Sequence, residues 1–126
     1  MVVRVSLFAA IVAAAGACLS GCSPSSDLKR ETGVELCPSA NVQDLTTQEE
    51  QDTTPGFSRH LLLSLDPTCA RDFERQLSAI SPRDCSIELL RNNGCAVMDT
   101  YTSSGRHTSI IARPISPDKY DVRFYQ

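Results

Sequence analysis

The stretch DPTCARDFERQLSAI, residues 66–80, carries the clearest structural signal in the chain. Asp66 and Pro67 indicate the start of a helix. An aspartate side chain accepts hydrogen bonds from the free backbone N–H groups of the first turn, and proline has no backbone N–H to leave unpaired at the first helical position. The apolar residues that follow recur every three or four positions and fall on one stripe of a helix: Cys69, Phe73, Leu77 and Ile80. The stretch therefore predicts an amphipathic helix over residues 67–80 that packs one side against a core.

The segments on either side of this helix carry weaker signals. Before it, RHLLLSL (residues 59–65) is an apolar run between Pro-Gly and Asp-Pro, which predicts a strand. After it, Ser81-Pro82 repeats the start signal, so PRDCSIELLR (residues 82–91) is predicted as a second helix that ends at Asn92-Asn93-Gly94. A hairpin remains an alternative, because Asn-Gly is also a tight-turn signal and SIELL could form a strand.

The residues after Gly94 are rich in β-branched and aromatic side chains. Three runs, CAVMDTYT (95–102), RHTSIIARPI (106–115) and YDVRFYQ (120–126), are separated by the turn-forming clusters Ser103-Ser104-Gly105 and Ser116-Pro117-Asp118. These runs predict an antiparallel meander. The predicted fold class is therefore α+β, with one short strand, two helices packed on a three-stranded antiparallel meander, and two disulfides.

The amino-terminal residues have the layout of a secretory signal peptide. Arg4 precedes the apolar run LFAAIVAAAGACL (7–19), which is too short to cross a bilayer. Leu19-Ser20-Gly21-Cys22 then resembles the lipobox of bacterial lipoproteins. That resemblance implies removal of residues 1–21, diacylglycerol on the thiol of Cys22, and an acyl group on its new amino terminus. Cleavage after Ala15-Gly16-Ala17 and lipidation of Cys18 remain alternatives.

With Cys18 removed and Cys22 lipidated, an even number of cysteines is left, which indicates two disulfides in a small exported chain: Cys37, Cys69, Cys85 and Cys95. A zinc site is the alternative, but the spacings contain no C-x-x-C pair. If the two predicted helices are antiparallel, their starts lie roughly 15 Å apart, beyond the reach of a disulfide. We therefore expect the pairs Cys69–Cys95 and Cys37–Cys85.

The segment after the lipobox is acidic and poor in apolar residues. Between Ser23 and Gly56, two cationic side chains stand against seven carboxylates, and there is no aromatic residue. This composition predicts a flexible tether over residues 22–56, with Cys37 stapled back onto a small α+β domain over residues 57–126. No basic block is large enough to indicate nucleic acid binding.

The sequence shows no catalytic constellation or metal site, and no cofactor or small-molecule substrate is expected beyond the lipid on Cys22. His60 and His107 lack a carboxylate or a second histidine at ligand spacing, and Ser103-Ser104-Gly105 lacks the surroundings of a nucleophile. A cationic and aromatic patch on the meander is the candidate contact surface, suited to a protein or an anionic glycan: Tyr101, Arg106, Arg113, Arg123 and Tyr125.

A lipobox followed by two helices and three strands resembles the small BamE-type outer-membrane lipoproteins. The similarity covers the element order from about Pro67 to Gln126 and the stretch SPRDCSIELLRNNG (81–94). It implies a non-catalytic, protein-binding role in envelope assembly. The alternative is a periplasmic inhibitor or immunity lipoprotein that blocks a hydrolase or toxin. Because Ser23 rather than aspartate follows Cys22, the expected location is the outer membrane, facing the periplasm, or the outer face of the cytoplasmic membrane in a Gram-positive host.

Overall fold

The computed structural model describes residues 23–102 and 105–126. The signal-peptide, lipobox and lipidation predictions, including Cys18 and Cys22, lie outside these residues. Ser103 and Ser104, part of a predicted turn, lie outside them as well. No helix within the described ranges is long and apolar enough to cross a membrane.

The described residues form one five-stranded antiparallel sheet and four helices. The helices are α1 (Pro24–Thr32), α2 (Gln48–Thr53), α3 (Pro67–Ile80) and α4 (Ile87–Asn92). The strands are β1 (Asn41–Asp44), β2 (Phe57–Ser64), β3 (Cys95–Tyr101), β4 (His107–Ser116) and β5 (Lys119–Tyr125). Across the sheet the strand order is β1-β2-β5-β4-β3.

The predicted arrangement of one short strand beside a three-stranded meander with two helices is therefore wrong. The meander β3-β4-β5 is present, but β2 does not stand apart from it. Strand β2 pairs with β5, placing Leu61 opposite Val122 and Leu63 opposite Tyr120, and β1 pairs with the other side of β2. These four side chains are buried or nearly so. The five strands therefore form one continuous sheet with an apolar face. This sheet contains more strands, and is packed with more helices, than the local sequence patterns predicted.

The prediction for α3 is confirmed, including its bounds. Asp66 accepts a hydrogen bond from the backbone N–H of Cys69 at 2.9 Å, and Pro67 occupies the first turn. Phe73 and Leu77 are fully buried against the sheet, since the apolar stripe faces the core. The next helix is shorter than the predicted span 82–91.

Helix α4 begins only at Ile87, because Ser86 rather than Ser81 caps it. The hydroxyl of Ser86 accepts from the backbone N–H of Leu89 at 3.1 Å. Ser81 instead donates its hydroxyl to the carboxylate of Asp84 at 3.0 Å, within a turn that ends before Ser86. Gly94 then ends the helical region with a φ of 88°, a conformation that glycine adopts without steric cost.

The acidic segment predicted as a flexible tether supplies α1, β1 and α2. Ser23 is the N-cap of α1, and Gly33 closes the helix in the left-handed conformation. Leu28 and Val34 are buried in the main core although the segment as a whole is polar. A few well-placed apolar residues, together with paired charges, are therefore enough to fold this segment onto the sheet.

The four expected cysteines form two disulfides, as predicted, but the expected pairs Cys69–Cys95 and Cys37–Cys85 are wrong. The bridges are Cys37–Cys69, with a Cα–Cα distance of 5.8 Å, and Cys85–Cys95, with a Cα–Cα distance of 5.1 Å. The pairing differs from the expected one because Cys85 lies in the turn before the short α4 and not within a long antiparallel helix. The chain then needs only α4 to bring Cys95, at the start of β3, back beside Cys85.

Replacement of Leu28 by alanine tests whether α1 belongs to the folded unit. We expect Leu28→Ala to lower the free energy of unfolding by about 2–5 kcal/mol, because it removes a fully buried side chain. Urea unfolding of the oxidised protein measures the change. Lys29→Ala, on the exposed side of the same helix, is the matched control and should change stability by less than about 0.5 kcal/mol. Equal stability of the Leu28→Ala variant and the parent would show that this segment is a tether after all.

Candidate functional site

The two faces of the sheet differ in what covers them. On the inner face, the side chains of Leu61, Ile110, Val122 and Phe124 form the core together with Leu28 of α1 and with apolar residues of α3 and α4. Neighbouring residues along a strand point to opposite faces, so the residues between these positions form the outer face. Helix α2, which buries no side chain, lies at one side of that outer face.

The outer face combines aromatic, aliphatic and cationic side chains on adjacent strands. Strand register places Ile111 beside Arg123 and places Arg113 beside Asp121. Phe57 is paired with Tyr125, and their rings meet edge to face with centroids 5.3 Å apart. We define the outer face by the following residues: Phe57, Leu62, Ile111, Arg113, Lys119, Arg123 and Tyr125.

Two cations of the outer face have no carboxylate partner within the described ranges. Arg113 and Lys119 are exposed, and neither forms an ion pair with residues 23–102 or 105–126. Exposed guanidinium and ammonium groups on the same sheet face as an aromatic pair form a surface suited to a partner with acidic side chains. The charge of this part of the molecule is therefore available for an intermolecular contact.

Helix α2 supplies a carboxylate to the other side of the outer face. Glu50 lies 3.4 Å from Nδ1 of His60 and 3.7 Å from Nε of Arg123. Desolvation alone would raise the pKa of Glu50, but hydrogen bonds from Thr47 and the nearby His60 and Arg123 together lower it below its usual value. The outer face thus already binds one acidic side chain of its own chain.

The structure brings together three of the five residues of the predicted contact surface. Arg113, Arg123 and Tyr125 share the outer face. Tyr101 and Arg106 lie instead at the β3–β4 hairpin, where the exposed Tyr101 ring packs on His107 with centroids 5.3 Å apart. Strand β3 pairs irregularly with β4 between Val97 and Thr100. Beyond this point the side chains of β3 no longer alternate between the two sheet faces in step with the rest of the strand.

Sequence reasoning missed four members of the outer face: Phe57, Leu62, Ile111 and Lys119. Alternation along β5 already placed Tyr125 and Arg123 on one side and could have been extended to Lys119. The β2 residues could not be found in this way, because their position depends on the long-range pairing of β2 with β5.

The two histidines differ from the expectation that both are isolated. His60 is nearly buried, and its Nε2 lies 2.8 Å from a carboxylate oxygen of Asp121 on the neighbouring strand. With Glu50 on its other nitrogen, His60 joins α2, β2 and β5. His107 is exposed and lies 3.5 Å from the carboxylate of Asp99. All three carboxylates are distant in sequence or outside ligand spacing, so the local pattern did not reveal them.

A cleft of about 650 Å³ opens between α3, α4 and the turn from β4 to β5. Glu74, a buried residue of this cleft, accepts hydrogen bonds from the Tyr120 hydroxyl at 2.6 Å and from Arg91 at 2.9 Å and 3.0 Å. Burial and the hydrogen bond to Glu74 raise the pKa of Tyr120 above its ordinary value of 10.0. Because the three groups bind one another, they join α3, α4 and β5.

Within residues 23–102 and 105–126, no three histidine, cysteine, aspartate or glutamate side chains are grouped so that they could hold a metal ion. Comparison of the chain with protein-family models, curated proteins and solved structures finds no match. The outer face is the candidate site because it combines exposed cations with an aromatic pair.

Proposed function

We propose that the protein is a lipid-anchored, non-catalytic interaction module of the bacterial envelope. It is held by acyl chains on Cys22 at the outer membrane and faces the periplasm. Its outer face binds an envelope protein that presents acidic side chains. The observation that carries this proposal is an exposed sheet face that holds two unpaired cations, Arg113 and Lys119, toward one end and the Phe57–Tyr125 aromatic pair at the other.

The sequence supports the anchor. The apolar run and the Leu19-Ser20-Gly21-Cys22 motif have the order that lipoprotein processing requires, and several acyl chains hold a protein at a membrane more stably than one. The two disulfides support an oxidising compartment outside the cytoplasm. Export and lipidation thus explain every cysteine of the chain, with Cys18 lost in the signal peptide.

The charge pattern supports the choice of partner. Glu50 of α2 contacts the outer face beside His60 and Arg123, which provides an intramolecular example of the acidic group that the surface accepts. Arg113 and Lys119 extend the same face beyond the reach of α2. Electrostatic complementarity of this kind favours the correct partner and accelerates encounter, while the aromatic pair supplies apolar contact area.

Substitution of Cys22 tests the anchor. In cells, Cys22→Ser should leave the protein unprocessed or release it from the membrane fraction, because serine cannot carry the thioether-linked diacylglycerol. Fractionation, together with the intact mass of the mature chain, measures this outcome. Cys18→Ser is the matched control and should not change either result. A Cys22→Ser variant that still matures and still sediments with membranes would contradict the proposed lipidation.

Charge reversal on the outer face tests partner binding. Arg113→Glu combined with Lys119→Glu should reduce crosslinking to the envelope partner by about tenfold or more, because like charges then face each other across the interface. The variant should fold normally, since both side chains are exposed. Arg71→Glu combined with Arg83→Glu makes the same change in charge on exposed residues away from the outer face and should bind as the parent does.

The crosslinked partner is to be identified by mass spectrometry in both double variants and in the parent. An envelope-assembly protein lost only from the outer-face variant supports the proposal. Recovery of a secreted hydrolase or toxin would instead favour the inhibitor or immunity role. Equal crosslinking of the same partner by both double variants would contradict the assignment of the outer face.

A further inference from the structure

We infer that the exposed side of α1 lies on the phospholipid headgroups and holds the domain in one orientation, with the outer face directed toward the periplasm. This inference rests on the proposed lipidation of Cys22. It adds a second interaction surface to the molecule, and its ligand is an anionic phospholipid surface. Four observations on the described residues lead to it.

The fold begins immediately after the lipidated position. Ser23 is the N-cap of α1, and its hydroxyl accepts from the backbone N–H of Ser26 at 3.3 Å. Adjacent Cα atoms are about 3.8 Å apart, so the folded unit starts within one residue of the lipid. A flexible tether over residues 22–56 would instead let the domain move roughly 30 Å from the bilayer. Almost no flexible chain therefore separates the anchor from the folded domain.

One side of α1 is exposed and cationic. Ser26, Lys29, Arg30 and Gly33 fall within about a third of the helix circumference, and all four are exposed. The side chains of Lys29 and Arg30 are 60% and 54% exposed although each contacts a carboxylate. The Lys29–Glu35 pair is exposed on both sides and contributes little to stability. The Arg30 guanidinium is more than half exposed while it contacts the nearly buried Asp27, so both cations remain accessible to lipid phosphates.

The opposite side of α1 is fixed to the sheet. Leu28 is fully buried, and the nearly buried carboxylate of Asp27 lies 2.9 Å from Arg59 of β2. Glu31, one turn later, accepts a hydrogen bond from the side-chain amide of Gln126 after β5. Because α1 is fixed to the sheet, an anchor at its start restricts the orientation of the whole domain.

The sheet then determines what faces the periplasm. Helix α1 lies on the inner face of the sheet, so its exposed side points away from the sheet. When that exposed side rests on the headgroups, the outer face is on the opposite side of the domain, away from the bilayer. The surface proposed to bind an envelope protein is thus presented where such a partner can reach it.

The test uses the chain 22–126 with both disulfides formed, in which Cys22 is the remaining thiol. Cys22 is coupled to a maleimide lipid in nanodiscs of phosphatidylethanolamine and phosphatidylglycerol that contain a nitroxide-headgroup lipid. Paramagnetic broadening of backbone amides then reports which residues approach the headgroups. We expect strong broadening at Ser26, Lys29 and Arg30, and little at Arg113 and Lys119.

Charge reversal separates orientation from attachment. Lys29→Glu combined with Arg30→Glu should reduce the population of this orientation roughly tenfold, because two headgroup contacts become repulsive. A Ser/Gly insert of roughly 15 residues between Cys22 and Ser23 should also abolish the preferred orientation, because a flexible linker lets the domain rotate relative to the bilayer. Arg113→Glu combined with Lys119→Glu should leave the broadening pattern unchanged.

Equal broadening of α1 and the outer face in the parent would overturn the inference. Unchanged broadening in the Lys29→Glu, Arg30→Glu variant would overturn it as well. Neither result depends on lipidation in the cell, because the lipid is attached chemically. Failure of the proposed anchor appears separately, as Cys22→Ser protein that is both mature and membrane-bound in the fractionation experiment.

Discussion

The arrangement of the molecule depends on the attachment of α1 to the inner face of the sheet. Leu28 contributes the buried apolar contact, and Arg59 contributes a guanidinium shared between Asp27 of α1 and Asp44 of β1. The nearly buried carboxylate of Asp27 needs this cation, because an unpaired buried charge would be strongly destabilising. A short polar helix of nine residues would not be stable alone in water, so its order comes from this packing. The attachment converts an acidic segment into part of the domain.

The two disulfides secure the same arrangement from either side of the helical layer. Cys37–Cys69 ties the loop after α1 to the first turn of α3, and Cys85–Cys95 ties the turn before α4 to the start of β3. Each bridge contributes about 2–4 kcal/mol, which is a large share for a domain of this size. The network of Glu74, Arg91 and Tyr120 links the same helices to β5 with buried hydrogen bonds. Apolar side chains of α1, α3 and α4 cover the inner face, whereas α2 buries no side chain and contacts the outer face through the carboxylate of Glu50.

Local signals in the sequence predicted the elements whose cause is local. Helix α3 follows from its cap and its apolar stripe, and the strands of the meander follow from β-branched residues between turn clusters. The acidic segment was misjudged because average composition hides single residues such as Leu28 and Val34, which fold only against a distant sheet. Pairing of β2 with β5 and of Cys37 with Cys69 is long-range in sequence, so no local pattern contains it. The candidate site was predicted only in part. Arg113, Arg123 and Tyr125 belong to the meander, which local patterns predicted, whereas Phe57 joins them only through the long-range pairing of β2 with β5.

The folded unit begins at Ser23, so no tether separates the domain from position 22, where we propose that the lipid is attached. Native-state amide hydrogen exchange of the oxidised protein tests this claim most directly, because it reports the free energy of opening for each helix and strand. We expect the core-facing amides of α1, from Leu28 to Thr32, to exchange with an opening free energy within about 1–2 kcal/mol of that measured for the amides of β5. Exchange of α1 at the rate of an unfolded chain, while β5 stays protected, would contradict it.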